Sequence, residues 1–458
     1  MAHAVAIILA AGKGTRMKSS LPKAIHPICG KPMTRYVIDA CIGAGIQDCV
    51  VVIGHGADQV REGLGDDVSY VVQEEQLGTG HACRLAVDAM GDRLCDVLVL
   101  PGDAPLITSD IIRQIVNERA KTGVDAVILT TILDDAGQYG RVVRSQDGSV
   151  LRIVEAKDAT PDELAIREMN AAVYAFGLPV LREYLQRISK DNVQGEYYLT
   201  DVIGLMARDG LRVAAVVSKD PDVALGINNR VDLARLTQVV RRRINERLML
   251  DGVTIIDPDT TYVDWDVQIG PDSVIYPGTV IEKSCRIGSG CFIGPSSRLV
   301  NVEIGDRVTI LLSHVTDSTV GEGTRIGPYA NIRPGCRIGR NVRIGDFVEA
   351  KNAIIGDEVS IAHLAYVGDA EIGDRTNIGA GTITCNYDGR QKHRTVIGQD
   401  AFVGSNVTLI APVEVGNGAY VAAGSTITKN VPPDALGIGR ARQENKEGWA
   451  RRRRERGS

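Results

Sequence analysis

The sequence predicts an α/β sheet domain followed by a parallel β-helix of six-residue segments, and three observations predict it. Short apolar strands alternate with helical patterns through the first half. The first strand runs straight into a glycine-bearing turn. Aliphatic residues then recur at every sixth position through the second half.

Residues 1–228 carry the alternation. Val5–Leu9, Cys49–Ile53, Val68–Val72, Val97–Leu100 and Ala126–Thr131 are apolar runs of strand length, while Arg35–Ala44 and Ser109–Lys121 have helical spacing. Strands separated by helices imply a largely parallel sheet with helices on both faces. Apolar residues at helical spacing between Leu233 and Leu250 predict a linker helix over 229–250, with Arg241, Arg242 and Arg243 on its exposed face.

Residues 251–437 carry the repeat. The series runs Ile269, Ile275, Ile281, Ile287, Ile293, Leu299, slips by one to Ile304 and Ile310, and restarts at Val320, Ile326, Ile332, Ile338 and Ile344. It continues through Ile355, Ile361 and Val367, then Ile372 and Ile378, and ends with Ile397, Val403, Leu409, Val415, Val421 and Ile427. Neither a helix nor a simple strand has a period of six; a short strand plus a sharp corner does. Each aliphatic points into a stacked core, and successive coils cover one another's edges. The polar stretch Thr384–Arg394 interrupts the series and predicts a loop on one face. Residues 438–458 remain as a C-terminal arm, with the basic run Arg451–Arg454 read as a solvated tail and Trp449 expected to dock, either on its own domain or over a ligand site.

Composition narrows the class. With 458 residues, 44% hydrophobic and 24% charged, the chain is globular and too long for one core. A net charge of −5 gives no footprint for nucleic acid. Nine cysteines, an odd count with no CxxC pair, predict no disulfide framework and a cytoplasmic home. The opening apolar run is too short for a signal segment, and no stretch approaches a membrane span. His314, His363 and His393 show no zinc-binding spacing.

Three clusters carry chemistry. After the first strand, Leu9-Ala10-Ala11-Gly12-Lys13-Gly14 lets a nucleotide approach the backbone, and Arg16 and Lys23 follow to neutralise phosphate charge. Asp103 ends the apolar run Val97–Leu100 after Pro101 and Gly102; it is either a hard ligand for Mg²⁺ or the cap of the helix near Ser109. In the repeats, Ile361 points inward, so His363 projects elsewhere. Arg333, Lys351 and Asp369 lie 18 residues apart, so three hexapeptides stack Arg333 beneath Lys351. Two stacked cations repel unless they share an anion, which a sugar phosphate supplies.

These motifs resemble the sugar-1-phosphate nucleotidyltransferases: LAAGKGTRM with a downstream PK, LGTGHA at Leu77–Ala82, PGDAPL, and Asn228-Asn229-Arg230. RPG at Arg333, the segment Phe347–Lys351 and NIGAGTITCNYDG extend the likeness into the repeats, and the whole chain is similar to the bacterial bifunctional GlmU family. The resemblance implies a Rossmann-like uridyltransferase domain and a left-handed β-helix acetyltransferase domain, in a homotrimer with sites between neighbouring helices. It implies acetylation of glucosamine 1-phosphate by acetyl-CoA, then uridyl transfer from UTP with release of pyrophosphate. Leu9, Ala10, Ala11, Gly12, Gln73, Gly78 and Thr79 are implied at uracil and ribose, Arg16 and Lys23 at the phosphates, and Asp103 with Asn228 at Mg²⁺. Gly140, Glu155 and Asn170 are implied at the N-acetylglucosamine, beside Gly102 and the backbone of Pro101, a position where the family often has Tyr. In the second domain Arg333, Lys351, Tyr366 and Asn377 are implied at glucosamine 1-phosphate, with His363 as base. Asn386 and the Ser405 backbone are implied at the oxyanion, and Ala380, Tyr387, Lys392, Ser405, Ala423 and Arg440 along acetyl-CoA. The family often carries Lys where this chain has Asn352. The competing expectation keeps uridyl transfer alone and makes the β-helix a trimerisation module.

Overall fold

A computed structural model describes residues 4–456. The chain divides into two compact units, Met1–Val240 and Arg241–Ser458, the division falling within the helix Arg230–Leu250.

The first unit is built on nine strands: β1 Ala4–Leu9, β2 Asp48–Ile53, β3 Ser69–Val72, β4 Asp96–Pro101, β5 Ala126–Ile132, β6 Arg141–Arg144, β7 Val150–Val154, β8 Glu168–Gly177 and β9 Val213–Ser218. Their order across the sheet is β9-β5-β8-β4-β1-β2-β3, with the β6–β7 hairpin attached to β8. β8 alone on the main path runs antiparallel, against both β4 and β5. The strands alternate which face each residue serves, so Ala6 and Ile8 enter one apolar cluster while Val5 and Ile7 enter the other. Both faces are covered, so the strands read as continuous apolar runs. The parallel strands β1, β2 and β4 end together, at the edge where sheets of this kind bind ligands.

In the second unit every aliphatic of the six-residue series is buried. One face is an eleven-stranded sheet; the other two faces join into a seventeen-stranded sheet because Arg298–Ile304 and His314–Val320 turn the corner without a break. All ladders are parallel, and Ile326, Ile344, Ile361, Ile378, Val403 and Val421 stack directly over one another. Burial of each such side chain contributes about 1.5–3 kcal/mol, so the ladder supplies the core that a narrow coil otherwise lacks. The series breaks after Ile344 because Ala350 takes the inward place between Ile332 and Val367. There the coil also shortens: Arg343 lies opposite Ser360, one residue fewer than three hexapeptides.

Two expectations need correcting. Arg241 is not on an exposed face; it is buried, with its guanidinium 4.3 Å from the Tyr262 ring centroid, and Arg242 reaches Asp259. Trp449 opens a short helix, Trp449–Glu455, and remains exposed under the Arg453 guanidinium.

Candidate active sites

The first unit gathers its predicted residues at the ends of β1, β2 and β4. Ala10 donates its N–H to Val52, and Gly102 donates to the Leu9 carbonyl at 2.8 Å, which ties the glycine turn to the PGDAPL segment. A Cβ on Gly12 would meet nothing within 4 Å, so the space before the turn is open to a ligand. Gln73 is buried; its amide donates to the Gly78 carbonyl and lies 2.9 Å from His81 Nδ1. Gly78 has φ 109°, and a side chain there would collide with the Tyr197 carbonyl. Thr79 accepts from Leu199 N–H at 3.1 Å, so it anchors the helix Thr79–Ala89 against the segment before Thr200.

A cavity of about 430 Å³ lies beside this edge, lined by Arg16, Pro101, Asp103, Tyr139, Asn170 and Asn228 among others. Lys23 and Asp103 form an ion pair, and Arg16 donates to Asn228 Oδ1 at 2.8 Å. The two cations expected at phosphates therefore rest on the two oxygen donors expected at the metal. Asp103 is not a helix cap: Thr108 accepts from Ile111 N–H and fills that role. Gly140 accepts from Asn170 N–H at 2.9 Å, and the Asn170 amide donates to Tyr174. Glu155 Oε2 lies 3.5 Å from where a Gly140 Cβ would sit, so these three sugar candidates do come together. Burial pushes the Glu155 carboxyl above its usual range, partly offset by the Thr200 hydroxyl. No cluster of three or more acidic, His or Cys ligands exists among the described residues.

The second unit separates its residues along two corners. At the first corner, Asp346 lies opposite His363, and the same register continues through Ala380, Ser405 and Ala423 on the next coils. His363 Nδ1 is 2.5 Å from Asp346 Oδ1. Arg440 follows the final two-residue strand, Leu436–Gly437, and is exposed. Asn377 sits on the eleven-stranded face, opposite Ser360 and Phe402.

Between the corners run Glu349 and Tyr366, which face one another in register. Arg333 follows Ile332, whose partner is Ala350, so it does stack under Lys351; its guanidinium is held by Glu349 at 2.8 Å. At the second corner Lys351 meets Lys392, whose contact and charge hold the Lys351 ammonium below the usual lysine range, with Arg333 adding to the effect. Lys392, expected along acetyl-CoA, thus lies against Lys351. Asp369 does not continue the Arg333–Lys351 stack: the short coil puts Gly368 opposite Lys351, and Asp369 turns the corner at φ 48°. Its carboxylate accepts from the Asn352 amide at 2.6 Å and from the Asn386 amide. The Thr384–Arg394 stretch is a hairpin closed by a Tyr387–Lys392 bridge and organised around Asp388, which accepts from Arg390 and Gln391 N–H and contacts His393. These partners pull the Asp388 carboxyl down to about 2.

Sequence reading missed that Asp346 contacts His363, that Glu349 holds Arg333 and that Asp369 accepts from Asn352 and Asn386. The available signal was coil length: Asp346 precedes His363, and Asn352 precedes Asp369, by 17 positions, one coil.

Known proteins place both units. Residues 6–156 match the MobA-like NTP transferase domain, and residues 266–301, 317–350 and 394–429 match the bacterial transferase hexapeptide (six repeats). The chain is thus a nucleotidyltransferase joined to a hexapeptide-repeat transferase. The bifunctional protein GlmU of Acetivibrio thermocellus is 50% identical over 97% of this chain and 96% of its own length. That of Caldanaerobacter subterraneus subsp. tengcongensis is 49% identical over 99% of each, and that of Trichlorobacter lovleyi 47% identical over 100% of each. The chain belongs to the bifunctional GlmU family, and it is an enzyme with a nucleotidyltransferase and an acetyltransferase activity. Among the described residues no helix is long and apolar enough to cross a membrane.

Proposed function

We propose that the second unit acetylates glucosamine 1-phosphate from acetyl-CoA and that the first unit then joins the product to UMP from UTP. The observation that carries the acetyl step is the stacking of Arg333 under Lys351, with Lys392 against Lys351, a cationic cluster on coils neighbouring that of an outward histidine. Arg333, Lys351 and Lys392 hold the sugar phosphate, and Tyr366 and Asn377 orient the ring. His363 takes a proton from the 2-ammonium group; the freed amine attacks the thioester carbonyl, and the CoA thiolate leaves. An imidazole has the right basicity for that at neutral pH. Asn386, fixed by Asp369, and the Ser405 backbone face the developing oxyanion. Ala380, Ser405, Ala423 and Arg440 line the acetyl-CoA slot with Tyr387.

In the first unit the phosphate oxygen of N-acetylglucosamine 1-phosphate attacks the α-phosphorus of UTP and pyrophosphate departs. The nucleophile is already an anion, so alignment and charge stabilisation suffice and no base is required. Arg16 and Lys23 release their present partners to meet the triphosphate. Leu9–Gly12, Gln73, Gly78 and Thr79 seat uracil and ribose; Gly140, Glu155 and Asn170 seat the sugar, beside Gly102 and Pro101. The hard oxygens of Asp103 and Asn228 suit Mg²⁺, which would neutralise phosphate charge there. The working form is a cytoplasmic homotrimer, in keeping with a hexapeptide-repeat β-helix.

The test is assay of both reactions on full-length Asp103→Ala. Loss of uridyl transfer with normal acetyl transfer is expected; equal loss of both would overturn the division of labour.

A further inference from the structure

The base proposed for acetyl transfer does not stand alone. Asp346 lies on the coil before His363, directly opposite it in the ladder, and its Oδ1 is 2.5 Å from the histidine Nδ1. The local fold is built for that approach. Gly345 precedes Asp346, and a Cβ there would come within 1.7 Å of the Ala362 carbonyl, so only glycine lets the two coils close up at this corner. The short coil between Arg343 and Ser360 keeps Asp346 in register with His363; one more residue would displace it. On the opposite side of His363 the same register brings Ala380 and then Ser405, small residues that leave room in front of the ring.

From this geometry we infer that Asp346 is a positioning residue for acetyl transfer: it accepts the Nδ1 proton of His363, so that Nε2 is the unprotonated nitrogen turned to the amine. The inference rests on the reading of His363 as the base. Two consequences follow from the chemistry of a carboxylate–imidazole pair. The ring is held in one tautomer, and the imidazolium formed on proton uptake is stabilised by the adjacent negative charge. The histidine holds the Asp346 carboxyl below its usual range, so Asp346 is an anion wherever His363 works, and Arg343 on the same strand adds to that effect. The pair is partly open to solvent, which makes the expected contribution smaller than for a buried one.

The experiment is steady-state acetyl transfer by full-length Asp346→Asn, Asp346→Glu, His363→Ala and the double variant Asp346→Asn/His363→Ala, with uridyl transfer measured on each as a check of folding. Asp346→Asn should lower kcat roughly 10- to 100-fold, with KM for glucosamine 1-phosphate and acetyl-CoA within about twofold. Its acid limb in the kcat/KM profile should move to lower pH, because the imidazolium has lost its counter-charge. Asp346→Glu should recover part of the rate, and the double variant should be no slower than His363→Ala alone, since a positioning residue has nothing to position. An unmoved acid limb, or additive loss in the double variant, overturns the role of Asp346 while leaving His363 in place. Unchanged acetyl transfer in His363→Ala instead overturns the reading on which the inference rests.

Discussion

The two candidate sites handle their cations in opposite ways. In the sheet unit each cation already has an oxygen partner: Lys23 pairs with Asp103, and Arg16 donates to Asn228. In the β-helix Lys351 and Lys392 lie against one another, and Asp369, a carboxylate whose charge acts on Lys351, is engaged by two amides. The first site is neutralised from within and must exchange partners when substrate arrives. The second stores repulsion that an arriving phosphate relieves. The difference follows from architecture. A sheet edge brings distant loops together, so residues 80 apart in sequence can pair. A coil repeats its own outward positions, so like residues stack on like.

That contrast can be broken at its strongest points first. In a coupled pyrophosphate assay Asp103→Ala should abolish uridyl transfer, a loss of roughly 10³-fold or more on the order expected for removing phosphate-charge stabilisation, while thiol release keeps acetyl transfer within about twofold of the parent. His363→Ala should have the converse effect, cutting acetyl transfer by about 10²- to 10⁴-fold in a thiol-release assay and sparing uridyl transfer. Next comes the pH dependence of phosphate binding. Because Lys392 lowers the Lys351 pKa, KM for glucosamine 1-phosphate should begin to rise at a pH below that of an ordinary lysine. Lys392→Met removes the repulsion, so Lys351 keeps its proton to higher pH and the limb should shift upward. An unchanged limb would mean that the two ammoniums do not interact in solution.

The smallest effect belongs to the loop. Asp388 has a depressed pKa, so its hold on the hairpin is present above the ordinary carboxylate range and is lost only as pH falls through about 2. Asp388→Ala should therefore loosen the hairpin at neutral pH and raise KM for acetyl-CoA a few-fold, with kcat nearly unchanged.

The fold was legible where one residue type serves one inward position. The aliphatics from Ile269 to Ile427 announced the β-helix because nothing but burial chooses them. Ala350 hid its own coil, being small enough to break the pattern while filling the same place. In the sites, Lys23, Asp103, His363 and Lys351 stood out as chemistry-bearing residues within recognisable motifs. The pairings they enter did not. Asp346 becomes visible only when the coil between it and His363 is known to hold 17 residues, and the Lys23–Asp103 pair depends on where two loops meet. Arg241 was misplaced because a triplet of arginines looks solvated until Tyr262 is found across from one of them.

The central claim is that one chain carries two complete chemistries whose charges are arranged independently. It is tested most directly by mixing full-length Asp103→Ala with full-length His363→Ala in one vessel with glucosamine 1-phosphate, acetyl-CoA and UTP, and following UDP-N-acetylglucosamine. Each variant alone should form almost none; the mixture should form it steadily, because acetylated sugar phosphate made by one protein is consumed by the other. A mixture as inactive as either variant alone would contradict the account.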